Sequence, residues 1–155
     1  MLARRVAIQQ DDFDVAAETL WLRSHSLEVG AVVSFIGTVR DISRAVGVEA
    51  IELEHYPGMT EQALQTIVEQ ADARWSLQAV SVIHRVGRLC AGEQIVWVGV
   101  ASRHRGEAFE ACAFIMDYLK TRAPLWKKEF DARGAHWVDA SDRDDEAAAR
   151  WQTND

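Results

Sequence analysis

The sequence predicts one α+β domain with a mostly antiparallel sheet, and three observations carry that prediction. Strand-like and helix-like stretches interleave along the 155 residues; two long apolar strands, 78–86 and 94–102, are joined by a short turn with Gly near both ends; and neither a linker nor an internal repeat divides the chain. A hairpin at that point makes the sheet at least partly antiparallel. A chain of this length buries most of its apolar surface in one core, so folding requires neither disulfides nor a structural metal.

Taken in order, residues 11–25 (DDFDVAAETLWLRSH) have helical spacing, with Val15, Leu20 and Leu22 as the apolar positions and acids at the start, where the helix dipole favours them. Residues 31–39 (AVVSFIGTV) are β-branched and aromatic without a helical period, which predicts a largely buried strand ending at Arg40. Residues 41–48 turn polar and read as an exposed loop; 49–55 (EAIELEH) alternate polar and apolar, as a half-buried strand does. Tyr56-Pro-Gly-Met59 is turn chemistry, and Thr60 is placed to cap a helix over 61–75 whose apolar face is Leu64, Ile67, Val68 and Ala71. After the hairpin, 106–122 predicts a helix with Phe109, Cys112, Met116 and Leu119 in one stripe, stopped by Pro124. Short strands follow at 126–130 and 136–139. The acidic, Ala-rich tail 141–155, with Trp151 as its large apolar anchor, reads as either a terminal helix or a partner-docking arm.

Composition narrows the function. The longest apolar run, residues 95–101, is far below the ~20 residues of a membrane span. Residues 1–10 carry Arg4 and Arg5 without the apolar stretch of a secretion signal, so the sequence predicts a cytoplasmic protein. A net charge of −7 argues against a general nucleic-acid surface. Cys90 and Cys112 lack the spacing of a zinc site and read as buried reduced thiols; His55 and His84 read as hydrogen-bonded strand histidines with no carboxylate at ligand spacing, so no metal is assigned.

Two groups of residues could carry chemistry. Ser102-Arg-His-Arg-Gly106 lies between a strand and a helix, where backbone N–H groups and cationic side chains can converge on an anion. No Gly-rich nucleotide-binding pattern is present, so the anion is a small phosphate or a carboxylate. The second group is the lysines. Fourteen of seventeen basic residues are Arg, and the three Lys, at 120, 127 and 128, fall together. Arg stays protonated, whereas a lysine whose pKa is lowered can exchange a proton. Two amines held close lower each other's proton affinity, which suits acid–base work; spacing alone equally allows two surface lysines.

These residues resemble a known family, the large, catalytic subunits of molybdopterin synthase. The resemblance rests on Phe35-Ile-Gly-Thr-Val-Arg40, Leu53-Glu-His-Tyr-Pro-Gly-Met59, Val82-Ile-His-Arg-Val-Gly87, Val98-Gly-Val-Ala-Ser-Arg-His-Arg105 and Phe114-Ile-Met-Asp-Tyr-Leu-Lys-Thr-Arg-Ala-Pro124, continuing to Trp126-Lys127-Lys128, in the family's order over roughly 30–140. It implies an α/β hammerhead fold and a homodimer of large subunits within a heterotetramer. Each large subunit would hold a small ubiquitin-like sulfur-carrier subunit ending in a Gly-Gly thiocarboxylate. Two sulfurs would pass to cyclic pyranopterin monophosphate, forming the dithiolene of molybdopterin, with no cofactor or metal. The resemblance implies Lys120 and Lys127 as the catalytic lysines. It implies substrate contacts from Thr38, Val39, Arg40, His104, Arg105, Lys120, Lys127, Lys128 and Glu129, with the phosphate on Arg40, His104 and Arg105. Thr38 stands where some members carry Lys, Leu125 where Phe is commoner, and 41–48 departs from the family's loop. A non-catalytic adapter for a ubiquitin-like partner, or another phosphate-binding transferase on the same fold, are the competing readings.

Overall fold

The computed structural model describes residues 2–40, 50–131, 134–138 and 142–152. The elements run β1 (Ala3–Gln9), α1 (Val15–Arg23), β2 (Ala31–Thr38), β3 (Ala50–His55), α2 (Met59–Arg74), β4 (Leu77–Arg85), β5 (Gly87–Cys90), β6 (Gln94–Ser102), α3 (Arg105–Arg122), β7 (Leu125–Asp131), β8 (Gly134–Val138) and α4 (Asp142–Ala149). The expected loop at 41–48 lies outside the described residues. No helix among the described residues is long and apolar enough to cross a membrane.

Two four-stranded sheets make up the α+β architecture, in the orders β1-β4-β6-β2 and β5-β3-β7-β8. Among the described residues every pairing is antiparallel except β1 with β4. In the first sheet the pleat alternates sides. Val80, Val82, Val96, Val98 and Val100 face the main core with α2 and α3, while Ala79, Ile83, Trp97 and Ala101 face the cluster that Leu22 of α1 closes. The helix on that second side packs very close. A Cβ on Gly99 would stand 2.5 Å from Leu22 Cδ1 and 2.8 Å from Trp97 Cζ2, so only glycine fits the contact.

The structure revises several expectations. Residues 3–9, given no element by the sequence, form edge strand β1, with Val6 and Ile8 packed on the main core. The stretch 87–93 is not a simple turn: β4 and β6 do pair antiparallel, but the chain between them leaves at Gly87 (φ 87°) and pairs as β5 with β3, burying Leu89. Thr60 is not the cap of α2. Gly58 is, at φ 85°, with its N–H on Glu61 Oε2 (2.8 Å), while buried Thr60 accepts from Tyr56 N–H and donates to the Pro124 carbonyl (2.8 Å). That second bond ties α2 to the segment between the two lysine-bearing elements.

On α1, Leu20 points outward and Glu18 takes an inner place, its Oε2 2.8 Å from Arg5 Nη2. On α3, Phe109 is exposed, and the buried stripe is Ala108, Ala111, Cys112, Ile115 and Leu119. Cys90 is exposed; Cys112 is buried, and burial pushes its thiol up to about 12. The tail folds back as α4: Trp151 stacks edge-on against Trp75 and Phe114, and its indole N–H donates to Asp117 Oδ2 on α3 (2.7 Å). Of the two expectations for the tail, the described residues form the terminal helix.

Candidate functional site

Strand polarity decides which candidate residues meet. β6 ends at Ser102, the chain turns through Arg103 and His104, and α3 runs back along the same sheet. The last turn of α3, with Lys120, therefore lies at the end of the sheet where β6 begins and where β2 and β4 finish. Arg40 follows β2 at that end: Val39 N–H donates to the Glu93 carbonyl (2.9 Å), and Gly92 N–H donates to the Val39 carbonyl (2.7 Å). His104 and Arg105 occupy the opposite end. Fifteen helical steps separate Arg105 from Lys120, roughly 22 Å at 1.5 Å per residue, and helical side chains all lean toward the N-terminus, so the charges do not converge. The structure thus brings Arg40 to the lysine end and leaves His104 and Arg105 at the other.

Lys127 reaches the lysine end through sheet pairing. β7 pairs with β3 so that Lys127 opposes Leu53, Glu129 opposes Ile51 and Leu125 opposes His55, and opposed residues share a face. Ile51, Leu53 and Leu125 are core residues on that face, so Lys127, Glu129 and His55 sit on the inner side of the second sheet. Lys127 Nζ is 4.0 Å from Glu129 Oε1. Lys128 is turned to the other face, its Nζ 4.5 Å from the centre of the Trp137 ring. Thr38 and Arg40 are exposed, whereas Val39 is a core residue with both backbone groups bonded, leaving it the support of Arg40.

The electrostatics single out Lys120. It retains surface exposure, yet the protein packed around its amine disfavours the charged form and pulls its pKa below the ordinary lysine value; Asp144 of α4 opposes that shift and Lys127 adds to it. Lys120 and Lys127 therefore feel each other's charge, as two amines in one site must. His84 belongs to the same neighbourhood. It is buried, its Nδ1 bonds the Arg85 carbonyl (2.8 Å), and its pKa falls to about 4, chiefly through desolvation, with Lys120 and His55 lowering it further. His55 Nε2 in turn lies 3.5 Å from Glu61 Oε1. A depression of about 460 Å³ opens at the end of β3, lined by His55, Tyr56 and Pro57 and, from the outer face of the second sheet, by Glu54, Trp126 and Trp137, with neither lysine in its wall. Among the described residues no group of three His, Cys, Asp or Glu is disposed to hold a metal ion.

At the other end, His104 caps α3 in extended conformation, its side chain not used for capping. Both His104 and Arg105 are exposed, beside the first-turn N–H groups of a long helix.

This arrangement has relatives. The family model described as MoaE protein matches residues 8–122. The chain belongs to the MoaE family. It is 60% identical over 146 residues to the molybdopterin synthase catalytic subunit of Ralstonia nicotianae, covering 94% of this chain and 83% of that one. Among solved structures, the molybdopterin biosynthesis MoaE protein from Burkholderia ambifaria superposes with a TM-score of 0.84 at 51% identity, covering 97% of this chain and 99% of that one. A chain of the complex of subunits 1 and 2 of the Helicobacter pylori molybdopterin-converting factor has a TM-score of 0.69 at 16% identity, covering 90% and 91% of the two chains, and shares the fold.

In this MoaE chain sequence reasoning reads His55 and His84 as strand histidines, which they are, without placing them or Asp144 near the lysines. His84 had a signal: in QAVSVIHRV, period-two alternation puts it on the same face as Val80 and Val82, toward α3. His55 shares its face with Lys127, which needs the β3–β7 register to see. Asp144 reaches Lys120 through a tail helix whose docking no local pattern announces.

Proposed function

We propose that this chain is the catalytic subunit of a molybdopterin synthase. It takes two sulfurs from the C-terminal thiocarboxylate of a small ubiquitin-like carrier and adds them to cyclic pyranopterin monophosphate, forming the dithiolene. The observation that carries the reading is the lysine pair: two amines from different elements, mutually repelling, one with a weakened hold on its proton. Such a pair suits an anionic, proton-exchanging substrate. Family membership supports it, since relatives more than half identical bear the name of that subunit.

The roles follow from charge. Burial weakens the hold of Lys120 on its proton, against the opposing pull of Asp144. The thiocarboxylate of the carrier supplies a counter-ion, restoring the amine's proton affinity and drawing the tail's last atoms to it. Lys127, beside Glu129, exchanges protons as the substrate's ring opens and sulfur adds. Arg40 holds the phosphate at this end.

His104 and Arg105 would complete the phosphate site from a second copy of the chain, because within one copy they stand roughly 22 Å from Lys120. In a two-fold dimer each site would combine one copy's Lys120, Lys127 and Arg40 with the other's His104 and Arg105. Two carriers bound to such a dimer make the heterotetramer, and a cytoplasmic setting belongs to the same reading.

The test is reconstitution: this protein, a thiocarboxylated carrier and cyclic pyranopterin monophosphate, with product oxidised to a fluorescent pterin. Product that depends on the thiocarboxylate supports the reading; carrier binding without product overturns it.

A further inference from the structure

We propose that two copies of this chain join along the free edge of β2: the strand pairs antiparallel with its own copy about a two-fold axis at Phe35, which carries the Arg40 end of one copy to the His104 end of the other. The inference rests on the proposed function for what the joined ends do, and adds the surface that joins them.

β2 is the last strand of the first sheet and pairs, among the described residues, with β6 alone. It is eight residues long and has no charged side chain, and Ser34, Phe35 and Ile36 in its middle are exposed. Phe35 and Ile36 are 40% and 39% exposed, and alternation places them on opposite faces, so the edge is apolar on both sides. The other three edges are protected. β1 carries Arg4 and Arg5, which pair with Glu69 and Glu18, while β5 and β8 are only four and five residues long. Charges and short strands are how a sheet edge avoids a second chain, and β2 has neither.

A second copy fits this edge in a definite register. Opposed residues of an antiparallel pair share a face, and a two-fold axis through the sheet keeps each face continuous, so one residue opposes its own copy. The exposed trio 34–36 is centred on Phe35, and pairing about it covers all three in both copies, Phe35 against Phe35 and Ser34 against Ile36. Arg40 then arrives beside Gly30 of the second copy. Gly30 is bound to the turn after β6: its N–H donates to the Ser102 carbonyl (2.9 Å), and a Cβ on it would stand 2.2 Å from the Arg103 carbonyl oxygen. Within one copy Gly30 and Arg40 lie at opposite ends of β2, roughly 33 Å apart at ~3.3 Å per residue; across the pair their backbones approach the ~4.8 Å spacing of neighbouring strands. Arg103 is held by Glu28 (2.7 Å). The Arg40 guanidinium of one copy and the His104 imidazole and Arg105 guanidinium of the other are left to share one end of the joined sheet, a setting that suits a phosphate.

The experiment reads the contact directly. In a Cys90→Ser background, which removes the exposed native thiol, single cysteines replace Ser34, Phe35 or Ile36 and the proteins are oxidised with diamide. Opposed side chains in a sheet stand close to the span of a disulfide. Phe35→Cys therefore gives a linked dimer, and Ser34→Cys mixed with Ile36→Cys links those two chains to each other, whereas Arg4→Cys on the charged edge stays single. Phe35→Glu sets two like charges face to face and raises the dimer dissociation constant about tenfold or more in sedimentation equilibrium. Wild-type protein that sediments as single chains, or a dimer that links at none of the three positions, overturns the inference. Should Phe35→Glu not fold, the disulfide pattern decides. A dimer linked through Phe35→Cys in a protein without thiocarboxylate-dependent product would sink the proposed function and leave this inference standing; an active synthase whose copies link at none of these positions would do the reverse.

Discussion

Pairing two impaired variants tests the proposed two-fold dimer, in which His104 and Arg105 of one copy serve the lysine site of the other. Lys120→Ala removes the amine and Arg105→Ala removes a cation roughly 22 Å away along α3. Each homodimer then has two singly damaged sites and turns over slowly, by about 10²-fold or more if each group stabilises developing charge. In a heterodimer with shared sites, one site takes both defects and the other takes none. Purified through two different tags, that heterodimer recovers about half the wild-type activity per dimer, one intact site of two. Mixing the variants with free subunit exchange gives about a quarter, since about half the dimers are mixed. The assay is fluorescent-pterin formation at saturating carrier. Activity no greater than that of the parents, in a heterodimer shown by mass to be mixed, would refute the cross-subunit reasoning and require each copy to work alone.

Other consequences are as concrete. His84 has a folded pKa of about 4 against an ordinary 6.5, so the unfolded chain binds the extra proton between those values. Stability is therefore full above pH 6.5 and falls as pH drops toward 4, by about 3 kcal/mol, and His84→Gln flattens that window in urea melts. Asp144 raises the Lys120 pKa, so Asp144→Asn lowers it further. With Lys120 needed as an ammonium, the alkaline limb of kcat/KM then moves to lower pH, and a shift to higher pH would contradict the assignment. Gly99→Ala forces a methyl against Leu22 and Trp97 and lowers stability by about 1–3 kcal/mol in thermal or denaturant unfolding. Trp151→Ala removes the ring that α4 sets against Trp75 and Phe114, destabilising the fold by about 3 kcal/mol or somewhat less. It also frees the tail to limited proteolysis.

Much of this was legible in the sequence where a pattern is local. The long strands 77–85 and 94–102 carry apolar residues on both faces because both are covered, and α2 shows its Leu64, Ile67, Val68, Ala71 face because one side alone is buried. What escaped depends on distant partners. β1 has only weak alternation, and its strand state comes from pairing in parallel with β4. β5 hides in a glycine-flanked turn until β3 offers it an edge. Leu20 and Phe109 fit a helical stripe by spacing and still face outward, because the sheet covers a narrower arc of each helix than the spacing allowed.

The candidate site divides the same way. Lys120, Lys127, His104 and Arg105 stood out by residue type or by their places at element ends, and Arg40 entered through the family resemblance. Their separation into two ends follows from the reversal at Arg103-His104 and the length of α3. The opposite facing of Lys127 and Lys128 follows from pleat alternation once β7 is a strand. The Lys120–Asp144 and Lys120–His84 neighbourhoods required tertiary structure.

The most direct test of the central claim is single turnover with wild type, Lys120→Ala and Lys127→Ala in parallel, measuring carrier binding and dithiolene formation on the same samples. Catalysis by the lysine pair predicts that all three bind the thiocarboxylated carrier with similar affinity while the variants form product about 10²–10⁴-fold more slowly. Variants that bind the carrier and form product at the wild-type rate would contradict it.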